Sequence, residues 1–169
     1  MAELDVTKIL RSYGASISFD ESVNLEPMRM LGEAITFDKP FRVVGTLTNQ
    51  GEYFALKADV CGEIFAKCSL CGEAVTEPIE LCVEETLLHH PNRRMKNVTD
   101  KSEADFMYEA ERDGAFVFTT HLLDLSKIIG DNVFLNLPSQ FFCNADCKGL
   151  CPICGKNRNK EECKCSDQF

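Results

Sequence analysis

The chain has 169 residues, of which 44% are hydrophobic and 27% charged, and a formal net charge of −9 at pH 7. This composition leaves room for one globular domain and excludes wholesale disorder, a coiled coil and a collagen-like fibre. No apolar run approaches the roughly 20 residues that a transmembrane helix needs. The first residues also lack the basic and apolar regions of a secretion signal. We therefore expect a cytoplasmic protein without a membrane segment.

The N-terminal residues 1–39 have mixed patterns, with a short helical pattern at residues 6–10. Further along, apolar and polar residues alternate, which is typical of strands with one buried face. Gly62 interrupts the second of these runs and predicts a β-bulge there. The runs predict three strands of an antiparallel sheet: 41–47, 53–66 and 75–84.

The second half of the chain first turns polar and then returns to apolar patterns. Residues 89–114 are rich in charge and predict a mobile connection. Another strand is predicted at residues 116–118. Apolar residues then recur at helical spacing over 122–134, with Asp124 as the N-cap and Pro138 ending the element.

The ten cysteines fall into two clusters separated by about sixty residues that contain none. Disulfides are rare where cellular reductants keep thiols reduced, so metal binding is the leading interpretation in a cytoplasmic protein. The first cluster is Cys61, Cys68, Cys71 and Cys82, and the second is Cys143, Cys147, Cys151, Cys154, Cys163 and Cys165.

The sharpest motif is Cys151-Pro-Ile-Cys154-Gly155, followed after a short loop by Cys163 and Cys165. Tetrahedral zinc takes four thiolates at about 2.3 Å, and a C-x-x-C turn brings two of them to one ion. Glycine after the second cysteine permits the positive φ that such a turn commonly requires. These four cysteines predict a zinc site. Iron bound by four thiolates remains open, because ligand spacing does not separate the two metals.

A second site is predicted less directly. Cys68 and Cys71 repeat the C-x-x-C-G motif, and Cys143 and Cys147 form another close pair. Together the two pairs could form a site that fixes the tail to the sheet. Alternatively Cys143 or Cys147 completes the tail site, or all four are free thiols. The strand residues Cys61 and Cys82 have no partner at ligand spacing and are interpreted as bystanders.

Motifs for catalysis are absent from the sequence. There is no Walker loop, G-x-G-x-x-G, G-x-S-x-G or H-E-x-x-H. Neither C-x-x-C lies in the βαβ context of a thioredoxin-like site, and a site closed by four cysteines is usually structural. We predict that the protein is not an enzyme and has no small-molecule substrate. A thiol oxidoreductase and a nuclease are the less favoured alternatives.

The charge is unevenly distributed. Residues 1–140 contain 13 Lys and Arg against 23 Asp and Glu, a balance of −10, whereas residues 141–169 contain 5 against 4. An acidic body repels phosphate backbones, so any nucleic-acid contact is predicted on the tail. The candidate contact residues are Lys148, Lys156, Arg158, Lys160 and Lys164. They serve equally well to offset the charge of a metal–thiolate centre and to keep the tail soluble.

The tail is also specific enough to show a family resemblance. Its Cys143-x-x-Asp-Cys147-Lys-Gly-Leu-Cys151-Pro-x-Cys154-Gly-x-Asn-x-Asn run, ending Cys163-x-Cys165, resembles the C-terminal signature of the YceD-like family. These are the large ribosomal RNA subunit accumulation proteins of bacteria and plastids. The upstream C-x-x-C is similar to a second segment of that family. The resemblance covers roughly residues 40–165.

The resemblance implies a cytoplasmic, metal-binding protein needed for accumulation or processing of 23S ribosomal RNA, with no established catalytic residues. Its partners would be ribosomal RNA or ribosome assembly factors, and an interaction module without RNA contact is the alternative. We predict an α+β fold, an antiparallel β-sheet with one or two helices and a C-terminal zinc-ribbon-like knob binding one or two zinc ions. Residues 1–140 would form the acidic body, and residues 141–169 the cysteine-rich tail packed on it.

Overall fold

The computed structural model describes residues 2–30, 32–90, 114–163 and 165. Within these ranges the chain is mostly β-structure with one helix. In chain order the elements are β1 (Glu3–Asp5), β2 (Ser16–Val23), β3 (Met28–Met30), β4 (Glu33–Ile35), β5 (Phe41–Asn49), β6 (Phe54–Lys67), β7 (Ala74–His89), β8 (Phe116–Phe118), β9 (Leu122–Asp124) and α1 (Leu125–Leu135).

The central feature is a five-stranded sheet with the order β2-β5-β6-β7-β8. The first three pairings are antiparallel, as the sequence predicts, while β8 runs parallel to β7. The longest pairing joins β6 and β7 as a hairpin, from Phe54 opposite Leu87 to Lys67 opposite Ala74. Two short antiparallel pairs, β1 with β9 and β3 with β4, lie outside this sheet. The predicted sheet and its three long strands are confirmed; β5 and β7 are longer than their alternating patterns, and β6 is shifted by one residue.

One face of the sheet is buried and the other is exposed. Along β6, alternate side chains from Phe54 to Ala66 belong to the hydrophobic core, and those between them are mostly exposed. The amphipathic α1 adds Leu125, Ile129 and Val133 to the same core. The hairpin extends past Cys61, the last residue of β6 that pairs with β5, and the loop after Lys67 lies at its far end.

The predicted β-bulge at Gly62 is wrong. Cys61 pairs with Glu80 and Gly62 with Ile79, so the ladder runs through without an extra residue. A Cβ atom at position 62 would lie 2.4 Å from the Cδ1 atom of the Phe41 ring. Glycine is needed at this position because the buried Phe41 packs directly on its backbone, and not because the strand bends.

The predicted helical pattern at residues 6–10 is a single hydrogen-bonded turn. The backbone N–H of Leu10 donates to the Val6 carbonyl at 3.1 Å. The next carbonyl, that of Ile9, accepts the side-chain amide of the buried Asn49 at 2.7 Å. Asn49 thereby connects this turn to the end of β5, and residues 6–10 do not form a helix.

The predicted helix over 122–134 is confirmed in its second part. The Asp124 side chain accepts the backbone N–H of Ser126 at 2.8 Å and is the N-cap, as predicted. The residues before it form β9, which pairs with β1, and the helix ends at Leu135. The strand predicted at 116–118 is β8.

The connection predicted over 89–114 starts later than expected. His89 is the last residue of β7, and its ring lies 4.8 Å from that of Phe118. Residues 91–113 lie outside the described residues. The division into a body and a tail at residue 140 stays a prediction. No helix in the described part of the chain is long and apolar enough to cross a membrane.

Candidate metal centres

The loop between β6 and β7 forms a tight knuckle around the first C-x-x-C motif. The backbone N–H of Gly72 donates to the Cys68 carbonyl at 2.9 Å, and the N–H of Cys68 donates to the Glu73 carbonyl at 2.8 Å. Gly72 has a φ of 74°, a conformation that glycine adopts without strain. The sequence prediction that this motif lies at the turn between two strands is confirmed.

The second C-x-x-C motif repeats this knuckle. The N–H of Gly155 donates to the Cys151 carbonyl at 2.9 Å, and the N–H of Cys151 donates to the Lys156 carbonyl at 2.8 Å. Gly155 has a φ of 72°. Two segments with little sequence in common apart from the motif therefore share one backbone conformation, which places both sulfurs of each pair on the same side of the loop.

The tail brings a further pair of cysteines to the first knuckle, and we call the resulting four the hairpin group. The Ser69 N–H donates to the Phe141 carbonyl at 2.8 Å, and the Leu150 N–H donates to the Leu70 carbonyl at 3.0 Å. These two hydrogen bonds fix the tail to the knuckle, one before and one after the tail's cysteine pair. The four sulfurs lie within 4.8 Å of one another and belong to Cys68, Cys71, Cys143 and Cys147.

The remaining tail cysteines form a separate cluster, which we call the tail group. Its sulfurs also lie within 4.8 Å of one another and belong to Cys151, Cys154, Cys163 and Cys165. The structure thus assembles both predicted sets of four. It groups the sulfurs of Cys143 and Cys147 with the hairpin knuckle and not with the tail group. That these two sets of four bind metal stays a prediction. Cys61 and Cys82 are exposed strand residues outside both groups.

The spacing of the sulfurs suits a single tetrahedral ion in each group. Four ligands at about 2.3 Å from a central ion lie about 3.8 Å apart. In the hairpin group, Cys68 lies 3.8 Å from Cys147 and Cys71 lies 3.6 Å from Cys143, measured between sulfurs. In the tail group, the Cys163 sulfur lies 3.3 Å from that of Cys151. Each group could hold a metal ion with small adjustments of side-chain torsion.

The backbone of each knuckle also lowers the pKa of one of its cysteines. In the tail group the backbone N–H groups of Cys154 and Ile153 lower the pKa of Cys151 to about 6. In the hairpin group, burial acts to raise the pKa of Cys68, but the N–H groups of Cys143, Cys71 and Leu70 outweigh it and lower the pKa to about 6. Thiolate is the form that binds metal, so each group has one ligand ionised at neutral pH.

One further thiol in each group has its pKa raised by its neighbours. The hydrogen bond with Cys147, together with burial, raises the pKa of Cys143 to about 12. The Cys165 N–H lowers the pKa of Cys163, but hydrogen bonds with Cys151 and Cys154 raise it to about 12. Four thiolates cannot share so small a volume without a cation, so metal binding at either group would displace protons.

The predicted contact cations differ in their surroundings. The Lys160 Nζ atom lies 2.6 Å from a carboxylate oxygen of Glu73, and the Lys156 Nζ atom lies 3.0 Å from one of Glu161. Lys148 and Arg158 are exposed and form no ion pair within the described ranges. Lys164 lies outside the described residues.

Sequence reasoning missed the polar residues that join the two groups. The Asn159 side-chain amide donates to the Cys147 sulfur at 3.3 Å, and that of Asn157 donates to the Glu73 carboxylate at 3.2 Å. The two asparagines were visible as an Asn-x-Asn spacing in the tail motif. No sequence signal identified Glu73, because its partners lie more than eighty residues away in the chain.

Comparison with known proteins shows a family match over most of the chain. The family described as "Large ribosomal RNA subunit accumulation protein YceD" matches residues 56–169, more than half of the chain. This range includes all eight cysteines of the two groups. No solved structure matches the chain.

Individual relatives are more distant. The chain is 27% identical to the uncharacterised protein YlbN of Bacillus subtilis, over 84% of this chain and 74% of the relative. It is 27% identical to the uncharacterised protein Rv2926c of Mycobacterium tuberculosis, over 90% of this chain and 68% of the relative. A chloroplastic YCED homolog of Arabidopsis thaliana, named for large ribosomal RNA subunit accumulation, is 31% identical over 58% of this chain. The match covers 35% of the Arabidopsis protein's length. None of these names states a catalytic activity.

Proposed function

Because the chain belongs to the family described as large ribosomal RNA subunit accumulation protein YceD, we propose that it is a non-catalytic zinc protein required for accumulation of 23S ribosomal RNA. It acts in the cytoplasm, where thiols stay reduced and available to metal. Its partners are ribosomal RNA or the factors that assemble the large subunit, and it has no small-molecule substrate.

The observation that carries this proposal is the pair of four-cysteine groups. All eight candidate donors are sulfurs, and each group offers four of them, enough to fill every position around a tetrahedral ion. Zinc sites closed by four cysteines are structural, since catalysis requires an open position for water or substrate. Neither C-x-x-C motif begins a helix, which is the context that activates a redox cysteine pair.

Each group has a distinct structural task in this proposal. Zinc in the tail group, at Cys151, Cys154, Cys163 and Cys165, folds a segment too short to have its own core. Zinc in the hairpin group, at Cys68, Cys71, Cys143 and Cys147, fixes the tail to the end of the β6–β7 hairpin. A bound zinc supplies charge neutralisation and four strong bonds in each case. Iron is the alternative metal, because four thiolates bind either ion.

Contact with RNA is proposed on the tail through Lys148 and Arg158. Both are exposed and form no ion pair within the described part of the chain, so binding a phosphate would cost no internal contact. Lys156 and Lys160 already have carboxylate partners. We expect Lys148→Ala with Arg158→Ala to weaken binding to a ribosomal RNA fragment and to reduce its salt dependence. Unchanged anisotropy titrations would exclude this surface.

A protein-interaction module without RNA contact is the second candidate, favoured by the acidic body. Residues 1–140 carry a balance of −10, which suits basic assembly factors better than phosphates. The two candidate functions predict different effects of salt on binding to protein-free ribosomal RNA. Binding to ribosomal RNA fragments that weakens steeply with salt supports RNA contact, whereas absence of binding at low salt supports the protein partner.

The function itself is tested in cells that lack the protein. We expect a fall in the ratio of 23S to 16S ribosomal RNA, restored by the wild-type chain but not by Cys151→Ser. Cys61→Ser is the matched control, because Cys61 is an exposed cysteine outside both groups. Restoration by Cys151→Ser at normal protein level would contradict a metal-dependent role. A normal ratio in the cells without the protein would contradict the proposal as a whole.

A further inference from the structure

The two four-cysteine groups are joined by a polar contact that we call the asparagine latch, defined as Asn157 and Asn159. Both residues lie in the chain between Cys154 and Cys163, and so belong to the loop of the tail group. Their side chains nevertheless contact residues of the hairpin group and its knuckle. The latch is the polar link between one candidate metal centre and the other.

Asn159 makes the direct contact. Its side-chain amide donates to the Cys147 sulfur at 3.3 Å, and its side-chain oxygen accepts the Lys148 N–H at 2.8 Å. The same amide also donates to the Asn157 side-chain oxygen at 3.0 Å. One residue of the tail-group loop thus holds both the sulfur and the following backbone of a hairpin-group cysteine.

Asn157 anchors the latch to the hairpin. Its amide donates to the Glu73 carboxylate at 3.2 Å, and the same carboxylate oxygen accepts the Lys160 ammonium group at 2.6 Å. Glu73 directly follows the first knuckle, and its carbonyl accepts the Cys68 N–H. The loop of the tail group therefore contacts the hairpin group at two points. One is the Cys147 sulfur, and the other is Glu73, whose carbonyl accepts the Cys68 N–H.

We propose that metal binding at the tail group raises the metal affinity of the hairpin group, with Asn159 as the positioning residue that couples them. This inference depends on the metal binding proposed above. Metal at the tail group fixes the loop that contains Asn159. The fixed amide then orients the Cys147 sulfur through the hydrogen bond that it donates. By thermodynamic linkage, metal at the hairpin group strengthens binding at the tail group by the same factor.

The expected size of the coupling between the two metal affinities follows from known effects of such hydrogen bonds. Loss of a hydrogen-bonding partner behind a metal ligand typically lowers affinity by about 10- to 100-fold. We expect the coupling factor to fall in this range. In a zinc titration of the full chain, the chain with one bound zinc should then be much rarer at half-saturation than two independent sites would give.

The experiment combines native mass spectrometry with competition against a chromophoric chelator, using the full chain and Zn²⁺. The double variant Cys154→Ser with Cys163→Ser removes the tail group and reports the affinity of the hairpin group alone. We expect this affinity to be about 10- to 100-fold lower than in the wild type. In an Asn159→Ala background, removal of the tail group should cause little further loss, because the contact that couples the two groups is already absent.

Asn144→Ala is the matched control. The Asn144 amide donates to the Cys143 sulfur at 3.4 Å, also in the hairpin group, but comes from the group's own loop. Its loss should weaken the hairpin group while leaving the response to the tail group intact. An equal loss of coupling in both asparagine variants would overturn the assignment to Asn159. Two zinc ions that bind independently in the wild type would overturn the coupling alone, whereas a chain that binds no metal would overturn the proposed function.

Discussion

At the scale of single residues, the contact between Gly62 and Phe41 determines how closely β6 approaches the core. The Phe41 side chain is fully buried, and its ring occupies the space where a Cβ at position 62 would lie. Gly62→Ala should therefore lower the free energy of unfolding by about 1–3 kcal/mol through overpacking. Urea denaturation followed by circular dichroism measures this loss. If Gly62→Ala lowers the free energy of unfolding only as much as a substitution of an exposed strand residue does, the Phe41 ring moves aside without cost.

Two further variants separate packing from strand propensity. Glu63→Ala changes the next residue of β6, whose carboxylate forms an exposed ion pair with Lys39, and should cost less than about 1 kcal/mol. Phe41→Leu combined with Gly62→Ala should cost less than the sum of the single changes, because a smaller side chain leaves room for the added methyl group.

The sequence predicted elements well where a pattern was long enough to repeat. The alternation in β5, β6 and β7 covers many residues and predicted their faces correctly. The three-residue strands β1, β3, β4 and β9 are too short to show a period. In addition, β1 and β9 are partners that lie far apart in the chain. The cysteine knuckles were predicted from a local motif, because C-x-x-C-G specifies one tight turn. The combination of cysteine pairs within each group depended on long-range packing, chiefly that of Ser69 against Phe141.

At the scale of elements, the tail meets the hairpin knuckle at Gly149. Its φ is 68°, and a Cβ there would lie 3.0 Å from the Leu70 carbonyl oxygen, an atom that accepts the Leu150 N–H. Gly149→Ala should both strain the backbone and push the tail away from the knuckle. We expect a loss of about 2 kcal/mol or more in unfolding free energy, together with weaker metal retention in a chelator competition.

Gly14→Ala provides the matched comparison for this prediction. Gly14 also has a positive φ, 76°, but a Cβ there would meet no atom within 4 Å. Its substitution should cost about 1 kcal/mol from backbone strain alone and leave metal retention unchanged. Equal effects of the two alanines on metal retention would exclude a role for the close approach between the tail and the knuckle.

At the scale of the whole molecule, two kinds of stabilisation lie side by side. The large hydrophobic core joins the sheet, α1 and the short strand pairs, and extends as far as Phe141. Beyond Phe141 the tail buries few apolar side chains, and Ile153, Leu150 and Phe142 are exposed. We therefore expect apolar burial to stabilise residues 1–140, and metal at the cysteine groups together with a few polar contacts to stabilise the tail.

Metal removal should therefore separate the two parts. After treatment with a strong chelator, we expect proteases to cut within residues 142–165 while the body stays resistant and retains its far-ultraviolet circular dichroism. The body should still unfold in one cooperative transition, because its large hydrophobic core contains no cysteine of either group, and Cys68 and Cys71 lie in a separate small cluster with Val75. Re-addition of Zn²⁺ before proteolysis should restore protection, and Cys61→Ser should behave as the wild type. Continued resistance of the tail after complete metal loss would show that its hydrogen bonds to the hairpin suffice, and collapse of the body would show that the metal groups stabilise the sheet as well.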